Sequence, residues 1–443
     1  MGSYVPGTHK EKQDLLMSIG FTDIEDLFLS IPKEVRLNRD LKIPDGLSEF
    51  EVRNKITKIA EKNTVFHKIF RGGGAYHHYI PAAVKQIVSK EEFITAYTPY
   101  QAEISQGTLQ AIFEFQTMIC ELTGMEVANA SVYDGACAAA EAVIMCREKK
   151  RNKVILPVTL SPGISKTIST YTHGTNTTIV TVGMKNGLID LEELGSVLDE
   201  ETACVVVQSP NYVGQLEDCE ALEEMIHKSG AKFILSSNPI SLGILKTPGE
   251  YKADIAVGEG QPLGLGLSFG GPYLGFMATT KELMRRMPGR IAGETKDSKG
   301  ERAFVLTLQA REQHIRREKA LSSICSNQAL CALTASVYMS ILGKEGLKQA
   351  AILSMSKAHY LASHLIEVKG FSMAFEGEFF HEFVTIYDGD RDELLLKLEE
   401  HGILGGLPID IQAAGGILWC ATEMNTKEDI DELIQIIKEE VGT

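Results

Sequence analysis

Several signatures are missing from this 443-residue chain, and each absence removes a class of function. Its eight cysteines, at positions 120, 137, 146, 204, 219, 325, 331 and 420, form no CxxC pair, which argues against a disulfide framework or a zinc site. Most lie in apolar runs, as Cys204 does ahead of three valines, the pattern of reduced thiols in a cytosolic protein. The N-terminus, MGSYVPGTHKEKQ, has no apolar h-region, so no secretory signal is expected and the chain reads as cytoplasmic. Positive charge is scarce: 44 basic against 59 acidic residues leave −15, a balance that repels a polynucleotide.

Dinucleotide and nucleotide motifs are also absent. Gly264-Leu265-Gly266 lacks the third glycine and the following helix of a dinucleotide fold, and neither a GK[ST] loop nor a GxSxG elbow occurs. Two long uncharged stretches invite a membrane reading and fail it. Residues 260–280 carry six glycines and two prolines. Residues 320–343 include Ser322, Ser323, Ser326, Asn327 and Gln328, which suit a helix buried in a large protein better than a bilayer span.

One absence is local. No lysine or arginine occurs between Lys252 and Lys281, and this gap contains the stretch Asp254 to Gly275, DIAVGEGQPLGLGLSFGGPYLG. It opens as an apolar strand, Ile255-Ala256-Val257, and then becomes rich in glycine. Glycine loses the most backbone entropy on ordering, so such a run is kept where backbone passes close to a ligand or to another backbone.

The rest of the chain reads in order. The first seventy residues predict short helices broken by Pro6, Pro32 and Pro44, with Ser48 as N-cap of a helix to Ala60 and no sheet pattern. They are expected to pack onto something else. Helices follow near 81–88 and 103–123, the latter with Leu109, Ile112, Phe113, Ile119 and Leu122 inward, and a helix of small residues starts at Asp134-Gly135. Then strands alternate with helices: strands at 153–156, 178–182, 203–207, 232–235 and 254–257, and helices at 162–172, from a capping box at Asp190 to Glu193, and at 218–229. Continuous apolar strands separated by helices predict an α/β fold on a parallel sheet covered on both faces. From about Phe304 long helices, 309–342 and 345–366, lead to a smaller α+β unit with strands near 382–386 and 416–422 and a last helix capped at Thr426. The expected division is an arm at 1–70, a large α/β domain at 71–304 and a small domain at 305–443.

Four loops carry candidate chemistry. Tyr133-Asp134-Gly135-Ala136 precedes the helix of small residues, where N–H groups suit a phosphate and small side chains equally suit close helix packing. Asn211, in SPNYVG after a buried strand, sits where ligands bind or else forms an Asx turn. His77-His78 follows three glycines; adjacent histidines splay apart and no acidic or cysteine cluster accompanies them, so a metal is disfavoured and a substrate-binding loop is the alternative. Tyr97-Thr98-Pro99-Tyr100-Gln101 is a polar-aromatic turn suited to a ligand or an interface.

The segments RGGGAYHHYIP, TAYTPYQAEISQGTLQAIFEFQTMICELTGME, SVYDGACAAAEA, SPNYVGQLED, GGPYLGF and RIAGETKDSKGERAFVLTLQAREQHIRREKALSSICSNQAL occur in this order. Together they closely resemble, over essentially the whole chain, the N-terminal half of the glycine cleavage system P-protein family. The resemblance implies a fold-type-I, pyridoxal-phosphate-dependent transferase architecture. It implies decarboxylation of glycine and passage of the aminomethyl group to the lipoyl arm of the H-protein. In some bacteria the family is split into two homologous chains, and the length fits the alpha subunit, subunit 1, of a two-alpha, two-beta assembly.

The family's other half has a His-Lys pair shortly after a strand like Ala253-Asp254-Ile255; here that place reads Gln261-Pro262, without an amine. The aspartate expected against the pyridine nitrogen is replaced by Ser236-Ser237-Asn238. The resemblance therefore implies a subunit with no catalytic lysine of its own and no covalent cofactor. Tyr133, Asp134, Gly135, Ala136, Asn211, Ser236 and Asn238 would be vestiges of a cofactor site. His77, His78, Tyr97, Tyr100 and Gln101, in polar loops that this chain's own core does not require, become candidates to complete the active site of subunit 2. The glycine stretch is then expected to be a flexible, uncharged turn at the subunit interface, ending in Gly270-Gly271-Pro272. Two alternatives stand beside this reading: a stand-alone decarboxylase or aminotransferase using another lysine, Lys246 or Lys252, and a purely structural or regulatory partner.

Overall fold

Apolar runs that stay buried on both faces, alternating with helices, build the central layer. The computed structural model describes residues 7–37, 39–268, 271–308, 313–320, 324, 327–411 and 414–442; Gly270, Ser322, Ser323, Cys325 and Ser326 lie outside them. The chain divides into Met1–Val65 and Phe66–Thr443.

The first unit contains α1 (His9–Ser18) and α2 (Glu49–Ala60). Ser48 caps α2 as its sequence predicts: Ser48 Oγ accepts from the Glu51 N–H at 3.3 Å, and Glu51 Oε2 accepts from the Ser48 N–H at 2.8 Å. Neither helix has a buried residue, and Leu15, Phe28 and Phe50 are exposed.

The second unit includes α3 (Ala82–Val88), α4 (Gln106–Thr123), β1 (Val127–Ala128) and α5 (Gly135–Cys146). There follow β2 (Lys153–Pro157), α6 (Pro162–Thr172), β3 (Thr178–Val182), α7 (Leu191–Val197), β4 (Thr202–Gln208), α8 (Cys219–Lys228), β5 (Lys232–Ser236), β6 (Ile255–Glu259) and β7 (Gly275–Thr279). Strand order across this sheet is β1-β7-β6-β5-β4-β2-β3, with β2 to β6 parallel and β7 antiparallel to both its neighbours. The sheet is thus mostly parallel, as expected, and its one reversal lies near an edge, where the glycine stretch turns the chain back and pairs Gly275 with Glu259. Ile255 and Val257 face one core with Ala138 and Val206, while Ala256 faces another with Phe276 and Tyr338. That two-sided burial is why these strands read as continuous apolar runs.

Other expectations shift for local reasons. In α4 the core is met by Phe115 and Gln116, with Phe113 only partly buried. Asp190 caps α7, but Glu193 accepts from the Gly183 N–H at 2.7 Å, so only half of the expected capping box forms. Where the sequence suggests no strand, β8 (Ile291–Lys296) and β9 (Arg302–Thr307) make a hairpin, turned where Asp297 Oδ1 accepts from the N–H groups of Lys299 and Glu301. The long helix α9 spans Ala329–Leu365 and breaks at Gly343, whose φ of 60 is open to glycine.

Beyond it lie β10 (Phe371–Met373), β11 (Glu382–Tyr387), α10 (Arg391–Glu400), β12 (Leu407–Ile411), β13 (Ala414–Cys420) and α11 (Lys427–Val441). The strands form an antiparallel sheet in the order β10-β11-β13-β12. Thr426 and Asp429 complete a capping box on α11, which buries Ile430, Leu433, Ile434 and Ile437. Removing the hydroxyl in Thr426→Ala is expected to cost about 1 kcal/mol, measurable as a shift in the denaturant midpoint with unchanged slope.

Candidate active-site cavity

The C-terminal ends of β4, β5 and β6 open into a cavity of about 270 Å³, on the side of a parallel sheet where ligands bind. Gln208, Ser236, Ser237 and Glu259 reach it from the strands, and Tyr133 to Ala136 from the start of α5. His381 and Glu382 close it from the antiparallel sheet. Among the described residues no lysine or arginine lines it. Lys246 instead pairs with Glu220 and Lys252 with Glu223, both away from the lining, so neither reaches this cavity to form an imine.

Gln261 and Pro262, which the resemblance sets against the His-Lys pair of the family's other half, are both buried. The Gln261 amide bridges two backbones: Oε1 accepts from the Tyr76 N–H at 2.8 Å, and Nε2 donates to the carbonyls of Tyr76 at 2.9 Å and Leu265 at 2.7 Å. The loop is tightened further by Leu263 N–H donating to Gly260 O at 3.0 Å. The expectation of a flexible turn is therefore corrected for residues 260–265, which are held by backbone and amide hydrogen bonds.

Nor is the stretch uncharged. Glu259, the single acid between Asp254 and Lys281, accepts three backbone hydrogen bonds. Its Oε2 takes the Gly135 N–H at 3.0 Å; its Oε1 takes the N–H groups of Gln261 at 2.9 Å and Leu274 at 3.0 Å. Gly135 permits the approach, since a Cβ there would meet Glu259 N at 2.7 Å. Burial pushes the Glu259 carboxyl up to about 7, against the pull of those N–H groups. Asp134 caps the same helix, its Oδ1 accepting from Cys137 N–H at 2.7 Å. An acid isolated among glycines was the signal that sequence reading passed over.

The other predicted residues separate. Ser236 and Asn238 line the cavity, and Asn238 Oδ1 accepts from Ile240 N–H at 2.9 Å. Asn211 does not line it. Its Oδ1 accepts from Val213 and Gln215 N–H and its Nδ2 donates to Gly187 O and Glu217 Oε1, so the turn alternative holds and the vestigial assignment of Asn211 is corrected. His78 is also corrected as a residue the core does not need: its side chain is buried, with Nδ1 2.7 Å from Glu423 Oε2. His77 is half-buried, and burial lowers its pKa below the ordinary value. Tyr97, Tyr100 and Gln101 are exposed, with Tyr100 OH accepting from Arg290 Nη2 at 3.1 Å.

Two residues without a sequence signal matter here. Glu382 is buried, accepting from Tyr76 OH at 2.7 Å and Gly73 N–H at 2.6 Å, and burial pushes it up to about 7. His381, its ring tilted 49° against that of Tyr76 with centroids 4.6 Å apart, is held well below its usual pKa by burial and then by His78, and is neutral. Among the described residues no acidic, histidine or cysteine cluster suits a metal, and no helix is long and apolar enough to cross a membrane.

These residues do not fit pyridoxal phosphate. No described amine lines the cavity to form an imine, a carboxylate already holds the start of α5, and the acids Asp134, Glu259 and Glu382 surround a cavity without a described cation.

The chain is nonetheless similar to known proteins along its whole length. A family model described as "Glycine cleavage system P-protein" matches residues 2–437. A relative named probable glycine dehydrogenase (decarboxylating) subunit 1, from Carboxydothermus hydrogenoformans, is 50% identical over 98% of this chain and 99% of its own. One of the same name from Desulfitobacterium hafniense is 48% identical over 98% of each chain. A crystal structure of glycine decarboxylase (P-protein) of the glycine cleavage system, in inhibitor-bound form, superposes with a TM-score of 0.94 at 42% identity, covering 99% of this chain and 100% of that one. A sphingosine-1-phosphate lyase from Burkholderia pseudomallei shares the fold alone, at a TM-score of 0.68 and 13% identity over 93% of this chain and 94% of that one. The architecture is thus the α/β fold-type-I arrangement that the sequence predicts.

Proposed function

Because this chain belongs to the glycine cleavage system P-protein family, we propose that it works as the subunit of a glycine dehydrogenase (decarboxylating) that holds no cofactor of its own. The carrying observation is Gln261 at the lysine position, with its amide committed to the Tyr76 and Leu265 backbones. A homologous subunit 2 then provides the lysine and binds pyridoxal phosphate, the electron sink for loss of CO2 from glycine. The aminomethyl product passes to the lipoylated H-protein. The two chains form a two-alpha, two-beta assembly in the cytoplasm.

This chain's part is to shape and complete the partner's site. The exposed side chains of Tyr97, Tyr100 and Gln101 and the partly buried His77 are its candidates to reach that site. His78 acts at one remove, anchoring its loop through Glu423, which also accepts from Tyr79 N–H at 2.7 Å. Exposed apolar residues of the arm, such as Leu15 and Phe50, favour burial in an assembly.

The test is reconstitution. Each purified chain alone is expected to give no H-protein-dependent CO2 release, and the mixture full activity. Borohydride trapping is expected to leave pyridoxyl-lysine only on the partner; a labelled lysine in this chain, or CO2 release by this chain alone, defeats the reading.

A further inference from the structure

We infer that the Glu259 carboxyl group occupies the place a ligand's phosphate would take at the start of α5, so that this subunit's cavity is closed to phosphate by its own side chain. The inference goes beyond the proposed function and rests on geometry within one chain. An α-helix begins with N–H groups that lack intrahelical partners and that attract an anion. In α5 two of these are taken from within: Gly135 N–H by Glu259 and Cys137 N–H by Asp134.

Glu259 does more than cap. Its second oxygen gathers the N–H groups of Gln261 and Leu274, so one carboxylate draws donors from a helix, a loop and the approach to β7. A phosphate in the same place would find these donors already engaged. It would also meet Asp134 and Glu382, with no described lysine or arginine on the cavity wall to offset the repulsion. Gly135 completes the arrangement, since any side chain there would collide with the Glu259 backbone and push the carboxylate from the helix.

Removing the carboxylate should therefore open an anion site. The experiment uses the full chain and inorganic phosphate, with chloride at matched ionic strength as the control. In Glu259→Ala three N–H groups lose their acceptor beside an existing cavity. Its Tm is expected to fall in chloride and to recover by several degrees, saturably, at millimolar phosphate. The wild type is expected to show no saturable response, and Glu259→Gln, which retains an acceptor oxygen and the side-chain volume, little or none. If Glu259→Ala folds only when phosphate is present, that also supports the inference. A Glu259→Ala chain no more stable or better folded in phosphate than in chloride overturns it, and so does saturable phosphate binding by the wild type. Because no glycine, partner chain or cofactor enters the measurement, its outcome is separable from that of the reconstitution assay.

Discussion

Between about pH 5 and pH 8 the Glu382→Gln chain is expected to gain about 3 kcal/mol of unfolding free energy on the wild type. Glu382 lies at the start of β11, buried, and burial moves its carboxyl from 4.5 to about 7. Below pH 4.5 the group is neutral in both folded and unfolded chains, so burial carries no charge penalty. Above pH 7 it is ionised in both, and the folded state alone bears the cost of the buried charge. Stability from this residue is therefore lost as pH rises through the interval between those values.

Glutamine keeps an oxygen for Gly73 N–H and offers an amide to Tyr76 OH, and it does not titrate. The difference between the two proteins isolates Glu382 from His381, which is neutral when folded and contributes a slope of the opposite sign below its unfolded pKa. Unfolding in urea at several pH values, followed by the emission of the single tryptophan, measures the gap. A gap independent of pH would show that Glu382 is ionised at its ordinary value despite its burial.

That tryptophan is the site of the second large effect. Trp419 lies in β13 opposite Phe383, fully buried among Leu361, Leu398, Ile417 and Leu433. Its Nε1–H donates to Thr385 Oγ1 at 2.9 Å, which satisfies the one polar atom of the ring. Trp419→Ala removes both the packing and the donor and is expected to cost about 3–5 kcal/mol, whereas Trp419→Phe refills most of the volume and should cost less. Circular dichroism serves as the probe, since the variant has no tryptophan. Equal losses for Ala and Phe would place the cost in the hydrogen bond and not in the cavity.

Much of the fold was legible because its signals are local. Periodicity and the caps at Ser48, Asp190 and Thr426 mark helices whose first turns are satisfied by the residue the sequence offers there. The buried strands announced themselves as apolar runs because both faces are covered. The β8–β9 hairpin was missed, since its exposed strands carry a mixed pattern with Glu294, Thr295 and Lys296. The reversal of β7 was missed because strand direction is set by where a glycine-rich connection lands.

The cavity divides in the same way. The run without lysine or arginine between Lys252 and Lys281 could be read directly, since lack of a functional group needs no geometry, whereas Gln261-Pro262 stood out only beside the family's other half. The rest depended on atoms far apart in the chain. Asn211 is a turn residue because Gly187 and Glu217 meet its amide, and His78 is structural because Glu423, from beyond β13, reaches it. Glu259 became visible as an anion only when β6 packed beside α5 and its carboxylate met the Gly135 N–H. Sequence alone determined the α/β class, the helix starts and the absence of a lysine, because these are properties of neighbouring residues and of composition. Tertiary structure decided which polar groups are used up inside the chain and which remain for a partner. Hydrogen bonding and burial act between segments that only folding brings together.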